Sequence, residues 1–214
     1  SDAAGGGTVN FGTMTLNANG GSISIPGTAF ISAGTATLDS TTTIGNLNIA
    51  GGTLTGAGNI DVSGAFNWTG SSAVAGSGTL TTLAGSTTAL APNFNQTTYL
   101  VGSRIWDNYG TVTLTTNATG LSHFQIDDTL TDGTAVFNNK SGGVFNLDGT
   151  LNTNHITGVG TFNNAGILNK NLNVSSSFAP VFNNESTGVV NVTSGTLALN
   201  GIPVPTMGTA LAYF

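Results

Sequence analysis

Apolar residues in this chain fall in short runs that alternate with polar ones and close on glycine or asparagine. Thr8-Val-Asn-Phe11, Thr13-Met-Thr-Leu16, Ser22-Ile-Ser-Ile25, Leu47-Asn-Ile49, Asn59-Ile-Asp-Val62 and Thr111-Val-Thr-Leu114 are examples. A period of two over four or five residues predicts strands, and the intervening Gly and Asn predict tight corners. No stretch carries the i, i+3, i+4, i+7 apolar pattern of a helix with caps. The expected class is all-β.

A longer phrase narrows the architecture. Phe137-Asn138-Asn139, Phe162-Asn163-Asn164 and Phe182-Asn183-Asn184 are each followed by a glycine and an apolar-x-Asn step. Trp106-Asp-Asn-Tyr-Gly-Thr-Val-Thr-Leu114 reads as a degenerate fourth copy. The three copies start 25 and 20 residues apart, one turn of a solenoid rather than one domain. We therefore expect a right-handed parallel β-helix forming a single elongated domain over residues 1–214. Its sections are Gly/Ala/Thr-rich coils at 1–92, irregular coils or a loop at 93–133, regular coils at 134–200 and an end segment at 201–214. At about 20–25 residues per coil and a strand spacing of about 4.8 Å, it predicts nine or ten coils and a rod roughly 45 Å long. In each phrase Phe fills the core, the asparagines turn the corner in left-handed backbone and stack as an amide ladder, and Gly restarts the strand.

Composition supports strands and removes several functions. Only 6% of residues are charged, against about a quarter in ordinary soluble domains. A chain so poor in Lys, Arg and Glu cannot clothe the outer faces of helices. Mean hydropathy is +0.18, and the regular Val, Ile, Leu and Phe argue against disorder. Arg104, Lys140 and Lys170 are its whole basic complement and the net charge is −6, so no nucleic-acid partner is expected. No apolar run approaches 18 residues, so no membrane-spanning helix is expected. There is no cysteine, hence no disulfide framework and no thiolate metal site.

The runs Leu54–Gly70, Gly76–Leu90 and the Phe-Asn-Asn coils ending at Leu199 resemble the β-helical repeats of large bacterial surface proteins, the filamentous-haemagglutinin-like exoproteins and autotransporter passenger domains. The resemblance covers about residues 45–200. It implies a secreted, cell-surface stalk acting in adhesion, self-association or extracellular matrix. The family's N-terminal secretion motifs and C-terminal membrane barrel are absent, so the chain reads as an excised or processed segment of something larger, or as an atypical short relative.

Parallel β-helices also include polysaccharide lyases and tailspike glycosidases, which need carboxylates on one exposed face. The one acidic cluster is Asp127, Asp128 and Asp132, read as a surface turn with a weak calcium candidacy. Adjacent Asp residues in a strand point to opposite faces, which works against a catalytic pair. His123 and His155 have no metal-ligand spacing and are expected as surface or inter-coil residues. We expect no enzyme activity and no cofactor. Trp68, Trp106 and Tyr109 are the candidate glycan contacts, with Tyr99 a further aromatic able to stack on a sugar. Core or corner packing is the stronger expectation for such rings.

Thr-x-Thr steps begin at Thr13, Thr35, Thr41, Thr53, Thr79, Thr111 and Thr129. Ice binding would need them one coil apart in register; their irregular spacing favours plain outward strand threonine. The expected function is an extracellular structural or adhesive rod that self-associates or contacts cell-surface glycans. The alternative is a carbohydrate-binding or polysaccharide-degrading β-helix, with ice binding the remote one.

Overall fold

A computed structural model describes residues 6–93, 95–115, 122–127, 134–150 and 153–201. They form an all-β parallel solenoid of about eight turns, one elongated domain without helices. The number of turns falls below the expected nine or ten because the middle coils are long. Thr82 and Asn108, one coil apart, are separated by 26 residues, and Asn108 and Asn139 by 31.

Each coil lays a strand on each of three faces. Face one carries Ile60–Val62, Thr79–Thr82, Ile105–Asn108, Val136–Asn139 and Thr161–Asn164. Face two carries Ala65–Thr69, Thr87–Ala91, Thr111–Leu114, Val144–Leu147, Ile167–Lys170 and Val189–Val192. Face three carries Ser72–Val74, Thr97–Leu100, His123–Ile126, Thr153–Thr157 and Thr196–Gly201. Ile23–Ile31, Thr42–Ile49 and Ser175–Asn184 bend round a corner and serve two faces each. Within the section at 93–133, Gln96 N–H donates to Asn93 O and Thr97 enters the face-three strand.

Alternation decides what enters the core. On face one Leu80, Trp106, Phe137, Phe162 and Phe182 stack one per coil in register. Trp106 and Phe137 have ring centroids 4.8 Å apart, Phe137 and Phe162 4.7 Å. Edge contacts to Phe124, Phe145 and Phe178 from the other faces complete an aromatic core. Such pairs add about 0.5–1.5 kcal/mol each beyond their area burial. At the 18-residue steps Leu54, Ile60 and Val62 fill the interior.

The Phe-Asn-Asn phrases occupy successive coils as expected, with Trp106-Asp107-Asn108 beneath them. Their asparagines, however, lie within the strands rather than in left-handed corners. Among the described non-glycine residues only Asn19, Asn95 and Asp127 have positive φ. The following glycines are also needed for a different reason. A Cβ on Gly166 would lie 2.2 Å from Gly143 O, and one on Gly188 2.1 Å from Asn164 O. The corner is pressed against the coil below, and only hydrogen fits.

Candidate functional site

Three amide ladders run along the regular half of the rod. On face one Asn183 Nδ2 donates to Asn163 Oδ1 (2.9 Å), Asn163 Nδ2 to Asn138 Oδ1 (2.8 Å) and Asn138 Nδ2 to Asp107 Oδ1 (2.7 Å). On face two Asn191 Nδ2 donates to Asn169 Oδ1 (3.0 Å), Asn169 Nδ2 to Asn146 Oδ1 (2.9 Å) and Asn146 Nδ2 to Thr113 Oγ1 (3.4 Å). Both outward ladders donate toward the N-terminal end.

The third ladder, inside the corner between these faces, runs the other way. Asn108 Nδ2 donates to Asn139 Oδ1, Asn139 Nδ2 to Asn164 Oδ1 and Asn164 Nδ2 to Asn184 Oδ1, at 2.8–2.9 Å. Its direction follows from the backbone: Asn139 and Asn164 also donate to Ile167 O (3.0 Å) and Val189 O (3.2 Å) in the next coil. At its lower end Thr82 Oγ1 donates to Asn108 Oδ1 and accepts from Trp106 Nε1, so the buried indole is satisfied.

The surface beside the outward ladders is nearly uncharged. Lys140 Nζ lies 3.2 Å from Asp107 Oδ1 at the foot of the face-one ladder. Both side chains are half-buried and still reached by solvent, and ion pairs open to water contribute about 1 kcal/mol or less. Next to the face-two ladder run Val144, Ile167 and Val189, with Ile167 and Val189 exposed; Tyr109 is exposed as well.

The other candidates separate. Trp68 and Trp106 are wholly buried, which leaves no face for a sugar ring; Tyr109 keeps its exposure. Parity was the signal, since Trp68 is two residues from core Phe66 and must share its side of the strand. A shallow groove of about 300 Å³ on face one is lined by Ser24, Thr43, Asp61 and Ser63 with Pro26 and Leu83, one carboxylate and no aromatic ring. Asp127 is buried and its Oδ2 accepts from Ala135 N (3.4 Å); Asp128 and Asp132 lie outside the described residues. Among the described residues no three His, Cys, Asp or Glu gather as metal ligands. Nor is any helix there long and apolar enough to cross a membrane. His155 is buried and His123 half-buried.

The threonine steps gave a different outcome. Thr15, Thr37 and Thr55 pair in one column of face three, and Thr35 pairs with Thr53 beside it. Unequal coil lengths hid this register in the spacing. The array stops where Ala73 follows Thr53.

Two cations were missed as structural elements. Arg104 is buried, its Nε donating to Ala75 O (2.8 Å), Nη2 to Gly56 O (2.8 Å) and Nη1 to Gly58 O (3.1 Å). Burial lowers its pKa to about 10, still charged at neutral pH. Lys170 points inward on face two, and its Nζ donates to Leu172 O. Burial lowers its pKa and the nearby Asp148 raises it in part.

No protein-family profile, curated protein or solved structure matches the chain. The likeness to bacterial surface repeats therefore rests on the repeat phrases and on the solenoid.

Proposed function

We propose that this chain is a non-enzymatic structural or adhesive segment of a bacterial extracellular surface protein, a stiff rod that works by associating with copies of itself. The observation that carries the reading is the pair of outward amide ladders on adjacent faces, with Ile167 and Val189 exposed beside one of them. Repeating neutral donors and acceptors suit contact between identical rods, and low charge leaves little repulsion to oppose it. A glycan-binding reading loses Trp68 and Trp106 to the core and retains Tyr109.

Light scattering over a concentration series, with negative-stain microscopy, tests the reading. Assembly that grows with concentration supports it; a strictly monomeric protein that binds on a glycan array would replace it with the adhesive alternative.

The threonine array favours a second reading, ordering of water on face three. Thermal hysteresis in the purified protein, lost in Thr37→Leu, would be its signature.

A further inference from the structure

The corner after the strand Met14–Leu16 carries an exposed Asn-Gly step. Leu16 pairs with Leu38 and Ile23 with Thr42, yet the chain from Leu16 to Ile23 is longer than the chain from Leu38 to Thr42 stacked on it. The surplus forms a tight turn. Gly21 N–H donates to Ala18 O (3.0 Å), and the two central residues, Asn19 and Gly20, have φ of +49° and +91°. Positive φ at both centres is the geometry for which Asn-Gly is a preferred pair. Asn17 Oδ1 accepts from Asn19 N–H (2.7 Å), and Ala18 N–H donates to Ser40 Oγ (2.8 Å), which ties the base of the turn to the coil above. Asn19, Gly20 and Gly21 are exposed.

This turn leaves a nucleophile beside an electrophile. Gly20 N–H makes no hydrogen bond among the described residues, and a Cβ built on Gly20 would meet nothing within 4 Å. No bond has to break and no side chain has to yield before the Gly20 nitrogen turns toward Asn19 Cγ. The chain's other Asn-Gly step, Asn200-Gly201, is the opposite case. It lies in the strand Thr196–Gly201, where Gly201 is in register with Val181 and a Cβ on it would lie 2.0 Å from Pro180 O. There the peptide is held in sheet backbone and cannot rotate without parting from the coil below.

We infer that Asn19 is a site of spontaneous deamidation. Gly20 N attacks Asn19 Cγ, an N–C bond forms, and the side-chain nitrogen leaves as ammonia, taking the Gly20 amide proton. Water then opens the succinimide ring. Cleavage of the Cγ–N bond gives aspartate; cleavage at the Asn19 main-chain carbonyl gives isoaspartate, with the backbone running through Cγ. Ammonia leaves, water enters, and no oxidant or reductant is needed. Either product puts a carboxylate into residues 6–38, a stretch without Asp, Glu, Lys or Arg. Asp39 lies at the same corner in the coil above, its N–H donating to Leu16 O. The chemistry is independent of self-association between rods.

Peptide mapping by mass spectrometry of the full chain, aged at mildly alkaline pH, reads the conversion at each asparagine. In the folded chain Asn19 should convert about tenfold faster than Asn200, the factor set by one hydrogen bond that the strand must first break. In urea the two Asn-Gly steps should react at similar rates, because only the fold distinguishes them. Asn19→Gln should remove the acidic product at this turn and leave the circular dichroism unchanged, since the side chain is exposed and lies outside the strands. Equal rates at Asn19 and Asn200 in the folded chain would overturn the assignment. So would a folded Asn19 that stays intact while the urea-unfolded chain converts.

Discussion

Asn139 and Asn164 are joined across one coil by a 2.9 Å hydrogen bond between buried side chains. Asn139 also accepts from Asn108 and donates to Ile167 O, so it serves three coils at once. Asn139→Ala leaves buried amide groups unpaired on both sides and should destabilise by about 2–3 kcal/mol. Asn163→Ala, in the half-exposed outer ladder, should lose about 1 kcal/mol or less because water replaces its partners. Urea midpoints of the two variants check this. Equal losses would mean that the ladders contribute through geometry alone.

Glycines divide by the same structural logic. Gly166→Ala drives a methyl into the backbone of Gly143, and backbone cannot swing aside as a side chain does. The adjacent coils must separate, at a cost of about 3 kcal/mol or more. Gly142 has φ +88 and open space around it, so Gly142→Ala carries only the left-handed penalty, roughly 1–2 kcal/mol. Thermal unfolding of the pair should show a clear gap. A larger loss at Gly142 would overturn the close-packing account.

How far the sequence could be read follows from what each feature depends on. The column Phe137, Phe162, Phe182 was legible because a repeated phrase implies a repeated place, and alternation put its rings inside. The inward ladder was legible as a ladder but not as part of a strand, because Asn suits both left-handed corners and stacked strand positions. The register of Thr37 with Thr55 was hidden by coils of unequal length, which spacing alone cannot align. Arg104 was opaque for a stronger reason: its acceptors Gly58 and Gly56 stand 46 and 48 residues away, two coils below. Nothing local to residue 104 announces a carbonyl cage, and composition suggested only a scattered cation.

Arg104 should therefore be intolerant of both obvious replacements. Arg104→Met keeps apolar volume but withdraws donors from three carbonyls, and Arg104→Lys offers one ammonium where a planar fork is required. Each should destabilise by about 2–4 kcal/mol, given about 1–3 kcal/mol for a buried polar group left unpaired. Chemical denaturation measures the loss. A methionine variant as stable as the wild type would show that burial of the charge cancels its hydrogen bonds.

Lys170 should behave in the opposite sense. It stands on face two between Leu147 and Val192, in a column otherwise apolar at those coils. Burial lowers its pKa below the ordinary lysine value, with Asp148 offsetting part of the shift. The folded chain then sheds this proton at lower pH than the unfolded chain does. Between the two pKa values the unfolded state holds more protons, so the Lys170 contribution to stability rises with pH across that window. Below it the charged amine is a liability, and Lys170→Leu should stabilise the protein at neutral pH by about 1–3 kcal/mol. The advantage of the leucine variant should shrink as pH climbs toward 10.5, the ordinary value for a lysine side chain. Urea midpoints of both proteins at neutral and alkaline pH decide the matter. If Lys170→Leu destabilises at neutral pH, the bond to Leu172 O and the attraction of Asp148 outweigh the burial of the charge.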